Sequence, residues 1–123
     1  MVLIIDDEYA LHEVMSEILE LSGIQVMCAS TGQEGTALFR EHFDILKAVF
    51  LDLHLPDISG RAILHALREM NPTINVVIMS GQPEFVTMAE FNGQEHLSYL
   101  EKPFTLDVLM ATVNQVLTTA SCH

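Results

Sequence analysis

The stretch LIIDDE, residues 3 to 8, runs three apolar residues into three consecutive carboxylates, Asp6, Asp7 and Glu8. Like charges a few ångströms apart repel and raise one another's pKa, so such a cluster either splays into water or is held by a cation. A further carboxylate, Asp52, follows the apolar run AVFL, Ser80 follows VVIM, and Lys102 lies just beyond LSYL. Apart, these are turn residues and surface charges. Gathered at one place, they form a pocket of carboxylates, a hydroxyl and an ammonium, in which a cation has a reason to sit.

Whether they gather depends on the elements that carry them. The segments VLII (2 to 5), IQVMCA (24 to 29), AVFL (48 to 51), VVIM (76 to 79) and LSYL (97 to 100) are short and mostly apolar, as strands covered on both faces should be. Helical patterns lie between them. The first places Leu11, Val14, Met15, Ile18 and Leu19 on one stripe and stops at Gly23. A second, from about Gln33 to His42, is opened by a capping box from Thr31 to Glu34. A third carries Ile63, Ala66, Leu67 and Met70, with Pro72 soon after. The last, capped by Thr105, carries Leu106, Leu109, Met110, Val113, Val116 and Leu117 at spacings of three and four.

Strand and helix alternating five times predicts an α/β fold, a parallel sheet with helices on both faces. Ligands in such folds sit beyond the carboxyl ends of the strands. If the first strand lies beside the third, the third beside the fourth and the fourth beside the fifth, then Asp6, Asp7, Asp52, Ser80 and Lys102 meet at one rim.

The chain of 123 residues, 50% hydrophobic, suffices for one domain, residues 1–123, around a single core. No membrane-length apolar run or basic leader is visible, which predicts a cytoplasmic protein with no membrane partner. Two cysteines, Cys28 and Cys122, argue for free thiols rather than a disulfide framework. A formal charge of −12 opposes binding of nucleic acid by this chain alone. His12, His42, His65, His96 and His123 show no paired metal spacing, and the seven methionines read as core filling.

Four segments, IIDDE, FLDLHLPDISG, VVIMSG and SYLEKPF, taken in order and spacing, resemble the receiver domain of two-component response regulators over essentially the whole chain. The resemblance implies a flavodoxin-like three-layer sandwich with strand order 2-1-3-4-5 and five helices. It implies that Asp52 accepts a phosphoryl group, that Asp6, Asp7 and Asp52 hold Mg²⁺ with a backbone carbonyl of His54, and that Ser80 and Lys102 contact the phosphoryl oxygens. Tyr99 would be the switch aromatic. His54, Gly81, Gln82 and Pro103 would border the phosphoryl site, and the Lys102–Pro103 bond would be cis. The acidic cluster then has a purpose, since a hard divalent cation needs oxygen ligands.

On this reading the chain is not an enzyme in the ordinary sense. It takes a phosphoryl group from the phosphohistidine of a histidine kinase or histidine phosphotransfer protein and switches conformation. The first helix is expected to dock the donor. In-line transfer leaves charge on equatorial oxygens, where a metal, the Lys102 ammonium and the Ser80 hydroxyl can each meet it. Pro103 restricts Lys102 to an extended backbone that aims its side chain across the rim. Glu8 is expected to begin the first helix rather than ligate metal.

Two rival readings follow from the same residues. A haloacid-dehalogenase-like phosphohydrolase also uses an aspartyl nucleophile and Mg²⁺, but wants a second aspartate two residues on, where this chain has His54. A phosphorylation-independent interaction module would be expected to lose Asp7, Asp52 or Lys102, and all three are present. One segment departs from the family pattern. PEFVTMAEFNGQEHL, residues 83 to 97, has Asn92 and Gly93 interrupting a short apolar pattern and bulky residues in the turn before the fifth strand. A short or irregular fourth helix is expected there.

Overall fold

The computed structural model describes residues 1–91 and 94–121, with side chains except at positions 85 and 118–121. The expectations placed on Asn92, Gly93, Cys122 and His123 lie outside these residues. Five parallel strands, β1 (Val2–Ile5), β2 (Val26–Ala29), β3 (Ala48–Asp52), β4 (Asn75–Ser80) and β5 (Leu97–Glu101), form one sheet in the order β2-β1-β3-β4-β5. The helices are α1 (Tyr9–Leu21), α2 (Gly32–His42), α3 (Gly60–Met70), α4 (Glu84–Met88) and α5 (Leu106–Ser121). Among the described residues no helix is long and apolar enough to cross a membrane.

Side chains alternate across each strand, so the sheet feeds two apolar clusters. Leu3, Ile5, Val49, Leu51, Val76 and Ile78 face one side, where Phe39, Ile63, Leu64 and Leu67 from α2 and α3 cover them. Val2, Ile4, Phe50, Val77 and Met79 face the other, against Met15 and Leu19 of α1 and Leu109, Val113 and Val116 of α5. Strands β1, β3 and β4 are buried along their whole length, which is why they read as continuous apolar runs.

The helix ends follow their local chemistry. Thr31 Oγ1 accepts from the Glu34 amide at 3.1 Å, and the Glu34 carboxylate accepts from the Ser30 amide at 2.7 Å, one residue earlier than an ideal capping box. Ser59 caps α3 and Thr105 caps α5 in the same way. Gly23, at φ +82°, closes α1. The thin apolar stripe of α2 suffices because Gly35 lets the helix lie against β1, where an added Cβ would come within 2.6 Å of Ile5 Cδ1.

Two helix faces differ from expectation. Val14, placed on the inner stripe of α1 by its spacing, is 52% exposed, whereas His12 is buried. Leu106 likewise points outward at the start of α5. The irregular fourth helix is borne out: α4 has five residues and gives way to a 3-10 turn at Ala89–Phe91. The turn before β5 holds His96 at φ 57°, and Arg68 of α3 steadies it by donating to the carbonyls of Glu95 (2.6 Å) and His96 (3.1 Å).

Candidate functional site

The order β2-β1-β3-β4-β5 puts the ends of β1 and β3 side by side, with Ile5 registered on Leu51. Asp6 and Asp7 leave β1 where Asp52 ends β3, and the three carboxylates each offer an oxygen within 4.8 Å of the others. Asp6 is fully buried and Asp52 nearly so, while Asp7 faces solvent. An all-oxygen donor set of two buried carboxylates and one exposed suits a hard divalent cation such as Mg²⁺.

Lys102 reaches this cluster from the far side of β4. Its Nζ lies 2.6 Å from Asp6 Oδ2, 3.4 Å from Glu8 Oε1 and 3.7 Å from Asp52 Oδ2. Burial alone would lower the lysine pKa, but the hydrogen bond to Asp6 and the negative charge of Asp52, Asp6 and Glu8 override it and raise it. For Asp52 the dominant influence is also burial, which raises its pKa. The His54 amide and Lys102 pull the other way, and Asp6 and Asp7 add to the rise.

Backbone contacts orient the remaining groups. The His54 amide donates to Asp52 Oδ1 at 3.1 Å, and the Glu8 amide donates to Asp6 Oδ1 at 2.8 Å. Ser80 is buried at the end of β4, and its Oγ accepts from the Gln82 amide at 3.1 Å. Its carbonyl accepts from the Lys102 amide at 2.7 Å and from the Tyr99 hydroxyl at 3.3 Å. Tyr99 has one hydroxyl proton, shared between this carbonyl and the nearer carbonyl of Gln82, and its ring packs against the apolar cluster on that face of the sheet. A Cβ at Gly81 would meet nothing within 4 Å, so the space beside Ser80 is open. The Lys102–Pro103 peptide is cis.

The family model for the response regulator receiver domain matches residues 2–114. The chain belongs to the response regulator receiver family. The receiver is 30% identical over 123 residues to the cell cycle transcriptional regulator CtrA of Caulobacter vibrioides, covering 99% of this chain and 52% of that protein. It is 27% identical over 117 residues to sporulation initiation phosphotransferase F of Bacillus subtilis, covering 94% of this chain and 92% of that one. Thus the receiver spans about half the length of the first relative and nearly all of the second. Among solved structures, a response regulator receiver domain protein from Clostridium thermocellum superposes with a TM-score of 0.87 at 28% identity, over 96% of this chain and 94% of that one. The receiver domain of NtrX from Brucella abortus gives 0.85 at 26% identity, over 97% and 99% of the two chains.

The fold therefore brings together Asp6, Asp7, Asp52 and Lys102, with Ser80, Gly81, Gln82 and Tyr99 on the adjoining strand ends. His54 is joined to Asp52 through its amide, and its side chain is exposed. Glu8 stands at the start of α1, before Tyr9, with no side-chain capping hydrogen bond, and its carboxylate instead joins the Lys102 contact, which no local pattern announces. Asp57 was missed altogether. Its carboxylate accepts from the Gly32 and Gln33 amides, a contact across 24 to 25 residues that no local pattern announces.

Proposed function

We propose that this receiver accepts a phosphoryl group on Asp52 from the phosphohistidine of a histidine kinase or histidine phosphotransfer protein. The observation that carries the reading is the placement of one strand-end carboxylate, Asp52, within 4.8 Å of two others and 3.7 Å from a lysine ammonium. A nucleophilic carboxylate approaching a phosphoryl group meets negative oxygens, so the barrier is mostly one of charge and position.

Each group has a part in lowering it. Burial makes the Asp52 carboxylate more basic, hence a better nucleophile once ionised, and the His54 amide holds its orientation. An oxygen of Asp52 bonds to phosphorus as the phosphorus–nitrogen bond to the donor imidazole breaks. The imidazole nitrogen keeps the electron pair and takes up a proton. Lys102 sits where it can neutralise a phosphoryl oxygen. Because Ser80 Oγ already accepts the Gln82 amide, its own proton is free to be donated to another. Asp6, Asp7, Asp52 and the His54 carbonyl would hold Mg²⁺. Bound there, the ion supplies the positive charge that offsets repulsion between carboxylate and phosphoryl oxygens.

The outer face of α1 supports docking of the donor beside this rim, since Tyr9 and Val14 are exposed apolar residues that the core does not use. Tyr99 and Ser80 would relay the change, because a Ser80 drawn toward the phosphoryl group carries the Gln82 and Tyr99 contacts with it.

Incubation with a small phosphodonor and Mg²⁺, followed by intact mass, tests the reading. One phosphoryl adduct is expected in the parent protein and none in Asp52→Asn or after chelation of Mg²⁺. Continuous release of phosphate from unrelated esters would instead indicate a hydrolase.

A further inference from the structure

The β3–α3 loop, residues 53–59, leaves the site at Asp52 and carries His54. Its inner end is tied by the Leu53 amide to the Met79 carbonyl at 3.2 Å, and by the buried Leu55. Its outer end is tied elsewhere. Asp57 Oδ1 accepts from the Gly32 amide and Oδ2 from the Gln33 amide, each at 2.9 Å, at the first turn of α2. Gly32 permits this approach: an added Cβ would lie 2.8 Å from Ile63 Cδ1, 3.0 Å from Ile58 Cβ and 3.2 Å from Asp57 Oδ1. The two backbone donors hold the Asp57 carboxyl below the usual carboxylate range.

Helix α2 already has its own cap in Thr31, which satisfies the Glu34 amide. Asp57 satisfies the two amides before it, from a different loop. For α2 the contact adds to a cap that Thr31 already begins. For the loop it is different: only two residues separate His54 from Asp57, and Pro56 between them has no amide to anchor.

We infer that Asp57 is a positioning residue for the chemistry at Asp52, a clamp that fixes the backbone of His54 by fastening the β3–α3 loop to α2. This rests on the reading of Asp52 as phosphoacceptor. With the clamp in place, the His54 amide stays on Asp52 Oδ1. Without it, the segment between Leu55 and Ser59 keeps only the packing of the partly buried Ile58, and a small misplacement of reacting groups has a large effect on rate.

The test compares Asp57→Ala, Asp57→Asn and Thr31→Ala with the parent, measuring phosphorylation rate at saturating small phosphodonor and Mg²⁺ affinity from amide shifts. Asp57→Ala is expected to slow phosphorylation about tenfold and to weaken Mg²⁺ binding. Asp57→Asn, which keeps one acceptor and sets a donor against the second amide, should lie between and remains informative if the alanine variant folds poorly. Thr31→Ala removes the other cap of the same helix end and should lower thermal stability while leaving both readouts unchanged. Parent-like rate and Mg²⁺ affinity in both Asp57 variants overturn the inference, as does equal slowing by Thr31→Ala, which would mark the contact as support for α2 alone. If the parent itself takes up no phosphoryl group, the function fails first. Mg²⁺ affinity then decides the clamp, and a parent that binds no Mg²⁺ overturns both.

Discussion

The loops that follow β3 and β4 both leave the sheet at the acidic rim, and they are built in opposite ways. After β3, the chain is tied at Leu53, His54 and Asp57 and runs into an eleven-residue helix capped by Ser59, with Ile63, Leu64 and Leu67 buried beneath it. After β4, it is tied through Gln82 and enters a five-residue helix with no side-chain cap. Within that short helix, the Thr87 hydroxyl is buried and finds no partner among the described residues. One loop thus holds the proposed nucleophile still. The other has little to lose by moving, and elements that move are drawn from the least stable parts of a structure.

The largest expected effect tests the rim that both loops leave. Lys102→Ala leaves the fully buried Asp6 without its ammonium partner and should cost about 3 kcal/mol in urea unfolding while abolishing phosphorylation. If stability barely changes, the rim does not depend on this ion pair. Hydrogen exchange separates the two loops directly: amides of α3 should exchange at least about tenfold more slowly than those of α4. Equal protection would erase the contrast. Removing the Ser59 cap with alanine should cost about 1 kcal/mol, read from the thermal midpoint. Thr87→Val should act the other way and add about 0.5 kcal/mol, because a buried hydroxyl without a partner is replaced by a methyl group.

The smallest effects are in pH dependence, where two carboxylates five positions apart have opposite signs. Asp52 has a raised folded pKa, so its contribution to stability falls as pH rises from the ordinary carboxylate value through that raised value. Asp57 has a depressed one, so its clamp is fully present above the ordinary value and is lost as pH falls through the depressed value. Asp52→Asn should therefore unfold at a higher temperature than the parent at neutral pH, and Asp57→Asn at a lower one. Thermal melts across the acid range check both signs.

Much of this was legible in the sequence because the strands buried on both faces are apolar runs ending in the residues that form the rim. Asp52, Ser80 and Lys102 each stand at or just past a strand end, so a parallel sheet of that order leaves them one meeting place. The short fourth helix was also visible, in a weak apolar pattern. What the sequence concealed depends on contacts between distant segments. Periodicity put Val14 inside and gave His12 no place in the core, because a stripe defined by spacing alone does not say how far the helix is rolled. Asp57 looks like an ordinary turn residue until Gly32 and Gln33 are brought beneath it. Arg68 reads as a surface charge on α3, although its guanidinium steadies the left-handed backbone of His96.

The carbonyl of Ser80 is shared by the Tyr99 hydroxyl, on β5, and the Lys102 amide, just past its end. Three positions that face different surroundings are thereby geared to a single peptide unit. A pull on the serine side chain cannot be felt by the aromatic ring alone, since the lysine backbone is coupled to the same oxygen. Signal and chemistry would share an axle, so a substitution that frees the ring to swing should also be felt in how quickly the phosphoryl group arrives and leaves.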